Sequence, residues 1–60
     1  MSNKKILVVE DDALIRMMSA EALTDAGLRV IEAETVDAAL LILATRADEV
    51  SAHVFSYDPI

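Results

Sequence analysis

The sequence contains no cysteine and no tryptophan, and Phe55 and Tyr57 are its only aromatic residues. Without cysteine there is no disulfide framework and no thiolate zinc site, so the usual staples of very small proteins are missing. Basic residues are scarce as well. Five Lys and Arg against eleven Asp and Glu leave a net charge of -6, which argues against direct binding to DNA or RNA, whose phosphates call for a basic stripe. No apolar run approaches the roughly 18 residues needed to span a bilayer. The opening "MSNKK" leads into an apolar run too short for a signal-peptide core. A cytoplasmic protein away from the membrane is the expectation.

What the chain does have is aliphatic residues. Its hydrophobic content of 55% excludes disorder and builds any core from Ala, Leu, Ile, Val and Met. Residues 1–60 are expected to form a single domain. A chain of this length buries only about 60% of the surface that its unfolded form exposes, and is marginal alone. A bound metal or a second chain is therefore expected to complete it.

Ile6 to Val9 form an apolar run without alternation, the mark of a strand covered on both faces in a parallel sheet. Three acids follow at once: Glu10, Asp11 and Asp12. Beyond them Ile15, Met18, Ser19, Ala22, Leu23 and Ala26 recur at helical spacing. Asp12 suits the N-cap of that helix and Gly27 the left-handed residue after its end. Leu28 to Ala33 reads as a second strand, placed near an edge by Arg29 and Glu32. Thr35 then caps a second helix carrying Val36, Ala39, Leu40, Leu43 and Ala47 as its stripe. Leu41 and Ile42 fall outside that stripe. "RADEVS" is expected to be a solvated loop, with Asp48 and Glu49 in water, and Ala52 to Tyr57 a third strand running into Asp58 and Pro59. Strand, helix, strand, helix, strand in this order makes an α/β fold with a parallel sheet.

Sites in open parallel sheets form beyond the carboxyl ends of the strands. Glu10 and Asp11 lie at that end of the first strand and Asp58 at that end of the third. Carboxylates that converge without histidine or cysteine suit a hard cation, magnesium in particular, and like charges so close together call for one. Acids at a helix N-terminus are also stabilised by the helix dipole without any metal, which accounts for Asp12 better than for Glu10 and Asp11.

The stretch "KKILVVEDDALIRMMSAEALTDAGLRVIEAETVDAAL" resembles the opening half of a response-regulator receiver domain of bacterial two-component signalling. Lys5 to Val9 match its first strand, Glu10 and Asp11 its acidic pair, and Arg16 its usual basic residue in the first helix. The likeness extends over residues 4 to about 56. It implies the β-α-β-α-β half of a doubly wound, flavodoxin-like (CheY-like) parallel-sheet fold. It further implies Mg2+ held by Glu10 and Asp11 with Asp58, and phosphorylation of an aspartate by a sensor histidine kinase or phosphotransfer protein. The chain would be a switch and not a turnover enzyme.

Two departures from the family pattern matter. "HVFSYDPI" puts Tyr57 after Ser56 and Asp58 one place later than usual, so Asp58 serves as phosphoacceptor only if the strand carries an extra residue or a bulge. The family's later half, with its hydroxyl residue and lysine, has no counterpart in these residues, and Lys4 and Lys5 precede the first strand at its opposite end.

A third strand left as an open edge invites pairing, and Leu41, Ile42, Val54 and Phe55 add apolar surface. A homodimer joined through the third strands is expected, and a non-phosphorylated, self-associating interaction module is the alternative function. His53 is expected to be a partly buried packing residue, Met17 and Met18 core filler, and Arg16 a partner for Glu10 or Asp12.

Overall fold

The computed structural model describes residues 4–55. In chain order these form β1 (Lys5–Val9), α1 (Ala13–Asp25), β2 (Val30–Ala33), α2 (Val36–Arg46), a short 3-10 turn (Ala47–Glu49) and β3 (Val50–Phe55). The three strands make one parallel sheet in the order β2-β1-β3. The expected α/β class with a parallel sheet and two connecting helices is thus observed, with the second strand at an edge.

The unbroken apolar run of β1 reflects its central position. Leu7 and Val8 are wholly buried and Val9 nearly so, because strands hydrogen-bond to β1 on both sides and helices cover both of its faces. Leu7 and Val9 share one face with Ile31 and Ala33 of β2, and there they meet Ala38, Ala39, Ile42 and Leu43 of α2 together with Val50. Successive strand residues alternate between faces. Val8 and its register partner Glu32 therefore lie on the opposite face, the one α1 covers. The strand order reverses direction at β1, since β2 lies to one side and β3 to the other. Two crossovers of the same hand then put their helices on opposite faces.

Both helices begin where their caps dictate. The Asp12 carboxylate accepts from the Leu14 and Ile15 amides at 2.9 and 3.1 Å, and the Thr35 hydroxyl accepts from the Ala38 amide at 3.0 Å. Gly27 closes α1 with φ of 88°, a conformation that costs residues with a Cβ.

Several expectations are corrected. β2 begins at Val30, not Leu28, and β3 runs from Val50 to Phe55, two residues ahead of the segment expected; its end at Tyr57 lies outside the described residues. The sheet-facing stripe of α1 is Arg16, Ser19, Ala20 and Leu23, whereas Ile15, Met17 and Met18 are exposed. On α2 the stripe is Ala38, Ala39, Ile42 and Leu43, so Ile42 turns inward and Leu40 outward, while Leu41 faces solvent as expected. In each helix an alanine, Ala20 or Ala39, is the most buried residue. Small side chains there let the helix axis come close to a narrow sheet, and the larger aliphatics are turned outward. His53 is exposed rather than partly buried.

The expected solvated loop is a helical turn clamped by charge. Glu49 accepts from Arg46 Nε and Nη2, each at 3.0 Å, and from Lys5 Nζ at 3.0 Å, while Lys4 Nζ donates to the Asp48 carbonyl at 2.8 Å. These contacts tie the end of α2 to the amino end of β1. Hydrogen bonds from Arg46, then from Lys5, pull the Glu49 carboxyl down from its ordinary 4.5 to about 2. A depressed carboxyl contributes stability that is fully present above its ordinary value and is lost as the pH falls towards 2. In an NMR titration the Glu49 carboxyl carbon is expected to show its midpoint near pH 2, and Arg46→Ala is expected to move that midpoint up towards 4.5.

Candidate functional site

The carboxyl end of β1 is where the chain concentrates its acids. Pairing of β1 with β2 continues one residue past the strand, with the Glu10 amide donating to the Ala33 carbonyl at 3.0 Å. Glu10 is consequently held in the sheet, and it is buried to 5% exposure. Burying a carboxylate is costly unless hydrogen bonds replace the lost water. One replacement comes from within the turn, because Glu10 Oε1 accepts from the Asp12 amide at 3.0 Å. Asp12 is the N-cap of α1, as expected, and its carboxylate is committed to the first turn of the helix. Asp11, between these two anchored residues, is exposed at the tip.

Arg16 completes the arrangement in a way that was not expected. It sits on the face of α1 directed at the sheet, with its side chain 18% exposed. Its Nη1 donates to the Glu10 main-chain carbonyl at 2.8 Å, and its Nε lies 3.5 Å from Glu32 Oε1 on β2. The expected pairing with Glu10 is made, but to its main-chain carbonyl, and Glu32 is a partner the sequence did not indicate. In the sequence Arg29 and Glu32 mark only a polar segment near an edge, which does not single out Glu32. The structure supplies what the sequence lacks: Glu32 pairs in register with Val8 and so belongs to the face that α1 covers.

Glu10 and Asp11 are brought to one turn at the carboxyl tip of the central strand, with β2 on one side and β3 on the other. In doubly wound sheets that switch point is where ligands bind. Asp58, the expected third acid and phosphoacceptor, lies outside the described residues. An irregularity of the kind its role requires does occur in β3, but at the opposite end. Lys5 pairs with Val50 and Ile6 with Ala52, so Ser51 is the extra residue, and from Ala52 to Phe55 the register is regular.

Hard oxygen donors at adjacent positions fit the chemistry of magnesium, which accepts one or two carboxylates and retains water. Asp11 offers an exposed carboxylate and Glu10 a buried one whose Oε1 already holds the Asp12 amide. Among the described residues no group of three His, Cys, Asp or Glu side chains is placed to hold a metal ion. Lys4 and Lys5 stand at the other end of the sheet, as expected, where they contact Asp48 and Glu49. Among the described residues no helix is long and apolar enough to cross a membrane.

Comparison with family profiles, curated proteins and solved structures returned no match to this chain.

The roles of the acids separate by substitution. Asp12→Ala is expected to cost about 1 kcal/mol of stability, the worth of an N-cap, and Asp12→Asn much less. Urea denaturation of the two variants beside the parent measures both.

Proposed function

We propose that the chain is a receiver-type phosphoacceptor module of a two-component phosphorelay, built on the opening strands of a doubly wound, flavodoxin-like sheet. The observation that supports this reading is the position of Glu10 and Asp11 at the carboxyl end of the central strand, where the order β2-β1-β3 reverses. That order is the one with which flavodoxin-like sheets begin, and their ligands lie at this reversal. In this reading Asp11 is the direct ligand of Mg2+, and Glu10 holds a metal-bound water and orients the turn. A bound divalent ion would neutralise charge on the phosphoryl oxygens.

Asp58 is the proposed nucleophile. One of its carboxylate oxygens forms a bond to phosphorus while the bond from phosphorus to the nitrogen of a phosphohistidine breaks, and the donor imidazole takes up a proton. The partner is accordingly a sensor histidine kinase or a phosphotransfer protein, in the cytoplasm, and the product is a switched state rather than a released molecule. Incubation with acetyl phosphate and Mg2+, followed by intact-mass measurement, is expected to show one phosphoryl adduct that Asp58→Asn abolishes. Absence of an adduct in the parent chain would overturn the reading.

A second reading, a self-associating interaction module without phosphorylation, is favoured by β3. Among the described residues β3 borders β1 alone, and Ser51 to Val54 are exposed. Val50 to Phe55 carries neither acid nor Lys nor Arg nor Pro, the features that usually guard an edge. In a chain of net charge -6 this is a segment where two copies can meet without like-charge repulsion. Light scattering is expected to give the mass of two chains, and Val54→Lys on the exposed strand to shift it towards one. A single-chain mass for the folded parent would remove the dimer.

A further inference from the structure

The acidic turn carries its own cation, and the way that cation is held points to a task. Glu10 has three polar groups fixed by three different parts of the fold. Its amide is held by the Ala33 carbonyl of β2 at 3.0 Å, its carbonyl by Arg16 Nη1 of α1 at 2.8 Å, and its Oε1 by the Asp12 amide at 3.0 Å. Arg16 is itself steered by Glu32 at 3.5 Å. We propose that Arg16 is the positioning residue of the acidic turn: anchored on Glu32, its guanidinium fixes the Glu10–Asp11 peptide and so the direction from which the Asp11 carboxylate projects. Its bearing on a metal rests on the reading of Glu10 and Asp11 as a cation-binding pair, whereas the positioning itself does not.

The geometry explains why arginine serves here. Two contacts in different directions, one to the main-chain carbonyl just past β1 and one to a carboxylate on β2, suit a planar fork with several donors. A lysine ammonium at the same place keeps the charge but is a single compact group on a flexible stem. Arg16 also lies on the sheet-facing stripe of α1, so packing of the helix delivers the guanidinium to the strand end. Asp11 is then flanked by two restrained residues, since Asp12 is committed to the Leu14 and Ile15 amides. Pre-organisation of a binding carboxylate requires support of this kind behind it.

The test is amide hydrogen exchange of the full chain without metal, read at Glu10 and Asp12 and compared with Leu7 and Val8. Loss of a charge-assisted hydrogen bond is expected to speed exchange at Glu10 and Asp12 about tenfold in Arg16→Gln. Leu7 and Val8 are expected to change far less, and Arg16→Lys to fail to restore protection. Exchange at Glu10 and Asp12 equal to the parent, or rising only in step with Leu7 and Val8, would overturn the proposal. So would full rescue by Arg16→Lys. Should Arg16→Gln fail to fold, Glu32→Gln removes the anchor alone and is expected to give severalfold faster exchange at Asp12, with unchanged exchange counting against the proposal. Titration of the parent with Mg2+ alone, followed at the Asp11 amide, separates the two ideas. No response there removes the cation-binding reading and leaves the exchange result to decide the role of Arg16.

Discussion

Everything in this small fold depends on enclosing β1. It is paired with β2 on one side and β3 on the other, and Leu7 and Val8 are sealed between α1 and α2. Among the described residues β1 is the one strand paired on both sides. Placing it at the centre of the sheet makes both helices share it. The same placement carries the residues after Val9 to the carboxyl end of the central strand, between β2 and β3, so core formation and the location of the acids have a single cause.

Charge is distributed along β1 in a matching way. At its amino end Lys5 and Arg46 neutralise Glu49 and tie the end of α2 to the sheet. At its carboxyl end Glu10, Asp11 and Asp12 crowd together, and the fold relieves the crowding by giving each a different environment. Glu10 is buried against a main-chain amide, Asp12 is exposed but spent on the first turn of α1, and Asp11 is exposed at the tip of the turn. Arg16 and Glu32 brace this turn from the flanking elements. Three acids adjacent in sequence thus become chemically unequal.

The periphery is less complete than the centre. Leu14, Ile15, Met17 and Met18 on α1, Leu40 and Leu41 on α2, and Val54 on β3 are all exposed, Leu41 to 65%. Aliphatic residues on this scale exceed what two narrow helix stripes can bury against three short strands. The exposed aliphatics gather on the first turns of α1 and on α2, with Val54 on β3.

Sequence alone determined the element types and their order, the two N-caps at Asp12 and Thr35, the glycine that ends α1, and the parallel character of the sheet. Each of these is local: an apolar run, a helical period, an oxygen before a helix or a missing Cβ. It also brought Glu10 and Asp11 into view, because acids directly after a buried strand have a necessary location. Strand bounds, the rotation of each helix and the fate of individual side chains were decided by tertiary structure. Ala20 and Ala39 became the most buried residues of their helices, with Met18 and Leu40 outward and Arg16 and Ile42 inward. Glu32 gained a partner only when parallel register set it on the face of α1. Period and propensity say which residues can share a face, but which face is buried depends on how closely a helix can settle on a particular sheet.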